Sequence, residues 1–333
     1  MKTAYLGILD YRDPLYEVFL DRVCPDITGP SFHVDRMSGG GVYRYTEEQT
    51  RRALVGKFFQ LDDDRHERVV RIKGEYDKLR TIRSFGFDAF PHYVVQPLAR
   101  EERIGLAVVE EFITGRDLDH YIMKAICRNG HDSLKRRLSA LAGFLRALHE
   151  RTATQQPVVP DPISGYFRKV VEKLHRQTVL GNDERAWALR LMDRWLLRMD
   201  LERETRVLVH GDATPTNFIF TGGSNVVAID LERMQESDCM FDVGMICGEL
   251  KHAFLWRRND RFASEPYIRH FLKSYAAYFP DPKDAFRRIT RRNPFFMAMT
   301  EFRIARNDYL DWTYRRHLAV EALECLKWGL KLG

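Results

Sequence analysis

The stretch His210-Gly211-Asp212-Ala213-Thr214-Pro215-Thr216-Asn217, followed at Val226-Val227-Ala228-Ile229-Asp230-Leu231-Glu232 by a second acidic element, constrains this chain more than any other. Three short β-branched-rich runs frame it, at residues 206–209, 218–220 and 226–229. Thr221-Gly222-Gly223-Ser224-Asn225 separates the last two. It reads as a hairpin turn, because glycine adopts the positive φ that a tight reversal requires. Asp212 and Asn217 then sit on a loop entering the hairpin, and Asp230 where the hairpin ends. A hairpin folds its two ends together, so the spacing predicts that Asn217 and Asp230 reach one shared cation. A few hard oxygen donors, completed by water and phosphate oxygens, suit Mg²⁺. With Asp212 free to orient a hydroxyl, the set has the chemistry of phosphoryl transfer.

The pattern H-G-D-x-x-x-x-N, then a buried strand ending in D-x-E, resembles the aminoglycoside phosphotransferase and choline kinase family. That family is a branch of the protein-kinase-like superfamily. Protein kinases carry H-R-D-x-x-x-x-N and then D-F-G. Gly211 in place of Arg, and Leu231-Glu232 in place of Phe-Gly, point to the small-molecule branch. The resemblance implies an α+β, bilobal protein-kinase-like fold: a small β-rich N-lobe over residues 1–114 and a larger, mainly helical C-lobe over 115–333. It also implies that Asp212 is the catalytic base, that Asn217 and Asp230 bind Mg²⁺, and that His210 supports the loop. Asp242, in Phe241-Asp242-Val243-Gly244, matches a structural Asp that braces the catalytic loop in the family.

The N-terminal part carries candidates for a nucleotide cradle. Gly39, Gly40 and Gly41 precede an alternating, strand-like segment, and glycines let backbone N–H groups approach phosphates closely. Ala53-Leu54-Val55-Gly56-Lys57-Phe58-Phe59 is an apolar strand with one embedded lysine, whose ammonium is costly there without an anionic partner. In a kinase-like fold those partners are nucleotide phosphates and a helix glutamate. Residues 69–85 read as a helix, with Val70, Ile72, Tyr76, Leu79 and Ile82 as its apolar stripe and Gly86 closing it. Glu75 near its middle is the candidate partner of Lys57. Glu67, at the helix start, is the alternative, although acids are favoured there by the dipole alone. Residues 106–113 form an apolar strand that breaks at Thr114-Gly115. By resemblance it runs into the interlobe hinge, so Glu111 and Ile113 mark where backbone groups meet the purine. Main-chain contacts leave ATP the expected donor and GTP open.

A chain of 333 residues is long enough for two cores. No apolar run approaches the ~18–20 residues of a membrane span, and the first residues lack the apolar stretch of a signal peptide. The five cysteines are scattered, odd in number and free of any C-x-x-C pair, which argues for reduced thiols in a cytoplasmic protein without a zinc site. Net charge is +6, but the arginine pairs lack an attached nucleic-acid-binding motif or stacking platform, so no nucleic-acid partner is expected.

The expected partner is a small molecule bearing a hydroxyl: a sugar, amino alcohol or related metabolite. Residues 133–150 read as a helix, and 61 positions then separate His149 from His210. A proline-rich loop at 155–162 and two helices over 166–199 fill that interval, which in protein kinases is nearly absent. The aromatics of residues 245–333 read mostly as core. In choline-kinase-like relatives, rings and acids of this region cage a quaternary ammonium by cation–π attraction; Asp308, Tyr309, Asp311 and Trp312 are the candidate set here. Arg287-Arg288, Arg291-Arg292 and Arg315-Arg316 make this third basic, which suits a neutral or anionic acceptor better than an aminoglycoside, although such pairs also read simply as solvated helix faces. The alternatives are a protein serine/threonine kinase, an antibiotic-modifying kinase and a non-catalytic nucleotide-binding pseudokinase. The intact Lys57, Asp212, Asn217 and Asp230 set speaks against the last.

Overall fold

The computed structural model describes residues 4–37, 41–58 and 65–331, with the backbone alone over 65–73. The chain divides into two compact units, Met1–Gly115 with Val227–Glu232, and Arg116–Val226 with Arg233–Gly333. The first is built on an antiparallel sheet and the second is mainly helical, which is the α+β, kinase-like class expected.

In the first unit, β1 (Ala4–Ile8) leads into α1 (Pro14–Arg22). The Asp13 carboxylate caps this helix by accepting from Leu15 N at 2.9 Å, and Pro14 supplies the pre-set φ of its first position. β2 (Phe32–Arg36), β3 (Val42–Glu47) and β4 (Ala53–Phe58) form a meander. Then come α2 (Arg65–Ser84), the short strands β5 (Asp88–Ala89) and β6 (His92–Val94), and the hairpin of β7 (Pro97–Glu101) and β8 (Leu106–Glu111). The six-stranded order is β1-β2-β3-β4-β8-β7. Its core sits under α1, where Phe19, Phe32, Tyr45, Leu54 and Leu106 pack together. α2 begins four residues before the expected 69. Arg65-His66-Glu67-Arg68 carries no apolar residue, so hydrophobic periodicity could not register that turn.

In the second unit, β9 (Arg116–Asp117) precedes α3 (Leu118–Arg128), α4 (His131–Arg151), α5 (Pro160–Arg176) and α6 (Asn182–Met199). The proline-rich stretch expected as loop is thus partly helix, because Pro160 occupies the first helical position, where a missing N–H costs nothing. β10 (Val207–Val209) follows, then β11 (Phe218–Gly222) and β12 (Asn225–Ala228), whose Val227 and Ala228 already belong to the first unit. β13 (Gln235–Ser237) pairs antiparallel with β10, and β9 pairs with β11. The remaining elements are α7 (Met240–Arg258), α8 (Glu265–Ala276), α9 (Pro282–Ala305) and α10 (Trp312–Gly329).

The helical core is aromatic: Phe167 stacks on Phe295 at 5.5 Å between centroids, with Trp195 and Phe302 against them. Of the C-terminal aromatics, Phe254, Tyr267, Phe271, Tyr275, Phe295, Phe296 and Phe302 are buried as expected, but Trp256, Phe262, Tyr278, Tyr309, Trp312 and Trp328 are exposed. α7 meets α9 closely through two glycines one turn apart. A Cβ on Gly244 would lie 2.2 Å from Phe296 Cβ, and one on Gly248 would lie 2.6 Å from Thr300 Cβ. That contact fixes the side chains on the next turns of both helices. Among the described residues no helix is long and apolar enough to cross a membrane, and all five cysteines are free thiols.

Candidate functional site

The first unit gathers one ammonium and three carboxyl groups. β4 pairs with β8 so that Val55 faces Glu110 and Lys57 faces Val108. Side chains two apart share a face of a sheet, so Lys57 and Glu110 project to the same side. Lys57 Nζ lies 2.9 Å from Glu75 Oε1 on α2, 3.4 Å from Glu110 Oε1 and 3.5 Å from Asp230 Oδ1. Burial alone would lower the Lys57 pKa, but Glu110, Glu75 and Asp230 reverse this and raise it, so the ammonium form is secured. Burial pushes the Glu110 carboxyl up to about 7 against the pull of Lys57. Its Oε2 is buried without a partner among the described residues. Glu110 was not among the sequence candidates, because a glutamate in an apolar strand carries no signal of what stands across the sheet.

Gly39 and Gly40 lie outside the described residues. Gly41 closes the β2–β3 turn at φ +79°, beside Lys57 and Phe58. A Cβ there would meet the Phe58 carbonyl oxygen at 2.4 Å, so only glycine fits. Glu111, expected at the hinge, turns its carboxylate back into its own unit, accepting from Tyr93 OH at 2.6 Å and Gln96 N at 2.8 Å. Its amide N–H donates to the Gln96 carbonyl at 3.2 Å. Ile113 follows it and is half-buried.

The second unit holds the catalytic-loop candidates. β10 delivers the chain to His210, and the buried Asp242 in the first turn of α7 accepts from His210 N at 2.7 Å and from Gly211 N at 3.1 Å. Two charge-assisted bonds from consecutive amides pin the loop. The other side of Asp242 meets His149 Nε2 at 3.2 Å, and His149 Nδ1 meets Tyr275 OH at 2.8 Å. Gly211 has φ +78°, and a Cβ on it would come within 2.1 Å of the Arg233 carbonyl oxygen. Asp212 then leaves the loop half-buried, and its carbonyl accepts from Asn217 Nδ2 at 2.9 Å and Thr214 N at 2.7 Å. With its nitrogen committed, Asn217 retains its amide oxygen as the group suited to a hard cation. Asp230 has φ +63°, an uncommon conformation for a non-glycine residue, and its carboxylate is 40% exposed. An anionic oxygen partly open to solvent and an amide oxygen with no hydrogen-bond partner among the described residues are hard donors of the kind Mg²⁺ takes.

A residue that sequence reasoning missed stands against Asp212. Arg303, near the end of α9, donates from Nη2 to Asp212 Oδ1 and from Nη1 to Glu249 Oε1 at 3.2 Å. Glu249 is on α7, one residue past Gly248, so the close glycine contact brings the two together. Burial raises the Glu249 carboxyl to about 7, opposed by Arg303 and reinforced by Asp212. Both side chains line a cavity of about 270 Å³ that also touches the Thr214–Thr216 segment following Asp212.

The four C-terminal substrate candidates do not form a cage. Asp311 is the N-cap of α10, accepting from Tyr314 N at 2.9 Å. Asp308 accepts from Gln177 Nε2 at 2.9 Å and pairs with Arg315 at 3.3 Å. Trp312 is exposed and is not part of the cavity lining, whereas Tyr309 is. An Asp just before a helix is more simply a cap than a ligand. Nor are the arginine pairs all solvated faces. Arg292 is buried against Asp238 and Glu204, Arg315 is buried against the Ala305 carbonyl, and Arg316 pairs with Glu184, while Arg287, Arg288 and Arg291 are exposed.

The family model described as the phosphotransferase enzyme family matches residues 41–283. Arg303 lies beyond that segment. No curated protein sequence matches. Several solved structures share the fold. A choline kinase from Cryptosporidium parvum Iowa II aligns with a TM-score of 0.64 at 12% identity, over 95% of this chain and 96% of that one. An ethanolamine kinase from Plasmodium vivax gives 0.59 at 15%, over 94% and 88%. An ADP-bound aminoglycoside phosphotransferase gives 0.55 at 16%, over 94% and 97%.

Proposed function

This chain belongs to the phosphotransferase enzyme family, and from that premise we propose that it moves the γ-phosphoryl group of ATP to a hydroxyl of a small molecule with Mg²⁺ as cofactor. The observation that carries the reading is Asp212. It sits on a loop pinned by Asp242, and through Arg303 it stands at the wall of a cavity able to hold an acceptor.

In this mechanism Asp212 orients the acceptor hydroxyl and takes its proton. The oxygen attacks the γ-phosphorus while the bond to the β–γ bridging oxygen breaks, so no covalent enzyme intermediate is needed. Lys57, held charged by Glu75, Glu110 and Asp230, positions the nucleotide phosphates together with the glycines at 39–41, of which Gly41 lies beside it. Asp230 and Asn217 would hold Mg²⁺, which when bound would neutralise charge building on the phosphate oxygens. GTP is an alternative donor, because purine contacts expected at Glu111 and Ile113 would use main chain, and the Glu111 N–H is already given to the Gln96 carbonyl.

The test is a thermal-shift titration with ATP, with and without Mg²⁺, on the wild type and Asp230→Ala. Stabilisation that requires Mg²⁺ and disappears in the variant is expected. No stabilisation of the wild type by Mg²⁺ with either ATP or GTP would overturn the reading.

A further inference from the structure

The cavity beside Asp212 has a composition that selects among hydroxyl-bearing molecules. Its size comes first. About 270 Å³ falls below the roughly 300–1,000 Å³ of sites for drug-sized ligands, so it holds one ring and not a chain of three.

Its aromatic surface comes second. Quaternary ammonium sites surround the cation with open ring faces. Here Trp256 is the principal ring, and its π surface is already engaged. His252 stacks on it at 5.4 Å and Tyr314 at 5.9 Å, while the Arg257 guanidinium stands 4.7 Å from its centroid. A second cation would have to displace Arg257 or share its ring. The other rings among the described lining residues are His252, itself stacked on Trp256, and Tyr309, which is 75% exposed.

Its charge comes third. Arg303 and Arg257 stand among Glu249, Asp119 and the adjoining Asp212. Arg303 is already matched to Asp212 and Glu249, and Arg257 lies near Asp119. Burial, reinforced by Arg257, lowers the pKa of His252 to about 4, which leaves that ring neutral. An anionic acceptor would face carboxylates on guanidinium groups that are already paired. A molecule with several ammonium groups would find these three carboxyl groups already matched by guanidinium groups: Glu249 and Asp212 by Arg303, Asp212 also by Arg233 at 3.9 Å, and Asp119 by the nearby Arg257. What remains is a wall of hydrogen-bonding groups of both kinds: carboxylate acceptors, guanidinium donors, the hydroxyls of Thr214 and Thr216, and the Asn307 amide. Hydroxyl groups can donate to the first and accept from the second without a net charge of their own.

We propose that the acceptor is a neutral polyhydroxylated molecule of one-ring size, a monosaccharide or cyclitol, seated between Glu249, Arg303 and Trp256. This rests on the phosphotransferase reading given above. The acceptor oxygen bonds to the γ-phosphorus, ADP leaves with the electron pair of the broken P–O bond, and the acceptor proton passes to Asp212.

The experiment is an ADP-release assay on the full chain with Mg-ATP. Its panel contains neutral pentoses, hexoses and inositols, their monophosphates, choline, ethanolamine and kanamycin. A neutral polyol is expected to exceed every charged acceptor in kcat/KM by at least about 100-fold, the discrimination within reach of a site built to hydrogen-bond hydroxyls. A charged acceptor turned over as well as the best neutral polyol overturns the inference. So does a complete lack of turnover with neutral polyols while Mg-ATP still stabilises the chain in the thermal-shift measurement. Failure of Mg-ATP to stabilise the chain sinks the phosphotransferase reading instead, so the two failures are told apart.

Discussion

Arg303 donates a charge-assisted hydrogen bond to Asp212 from 91 residues further along the chain. One carboxylate oxygen of Asp212 is thereby fixed by a side chain that is itself held by Glu249, while the other has Arg233 Nε at 3.9 Å, beyond hydrogen-bond reach, and is the one placed to meet a hydroxyl. Arg303→Ala should lower kcat by on the order of 100-fold, the cost of an ångström of misplacement at a reacting group. Arg303→Lys should recover little of it, because Arg303 reaches Glu249 and Asp212 with two different nitrogens of a rigid planar fork, which a lysine's single nitrogen on a flexible stem does not reproduce. Steady-state kinetics on both variants, with circular dichroism to confirm folding, checks this.

Asp212→Asn should keep Mg-dependent stabilisation by ATP and lose turnover by about 10²–10⁴-fold, the range of general base catalysis. Wild-type turnover in this variant would remove Asp212 from the mechanism.

Lys57→Met leaves Glu75, Glu110 and Asp230 without their shared cation. Removing one partner of a buried ion pair costs roughly 3–5 kcal/mol, so the urea midpoint should fall. Adding Glu110→Gln should recover part of the loss, because it relieves a carboxyl whose second oxygen has no partner among the described residues. A double variant no more stable than Lys57→Met would argue that Glu110 is not strained by the lysine's removal.

Glu301, on α9, is fully buried, and neither carboxylate oxygen has a partner among the described residues. Burial raises its pKa to about 8 from the ordinary 4.5, opposed by Lys251. The folded chain therefore keeps a proton that the unfolded chain releases above 4.5, and stability falls as pH rises from 4.5 to 8. Glu301→Gln removes this penalty. Thermal melts should coincide below the ordinary carboxyl value and diverge toward pH 8, with the variant more stable by a few kcal/mol.

The catalytic-loop pattern was legible because its residues are close in sequence and framed by short strands. Asp242 bonding His210 and Gly211, and Lys57 beside Glu75, were likewise within reach of the family motif and of a lone lysine in an apolar strand. Arg303, Glu249 and Glu110 were not legible. Each is an ordinary charged residue in its own element, and its meaning comes from a neighbour that only packing supplies. The Gly244 and Gly248 contact shows why: two small residues on α7 decide what α9 touches, and neither announces itself in the sequence. Asp311 misled in the opposite direction, since the residue that caps a helix looks from sequence like any acid among aromatics.

Val227–Glu232 belongs to the first unit, although the chain on both sides of it belongs to the second. A gene truncated after Gly115 would encode Lys57, Glu75 and Glu110 but not Asp230. The complementary fragment would carry Asp230 away from its three neighbours. Neither unit corresponds to one uninterrupted stretch of coding sequence, so recombination cannot exchange one whole unit with a relative by a single crossover. Only a double exchange that also carries this short inner segment would do so.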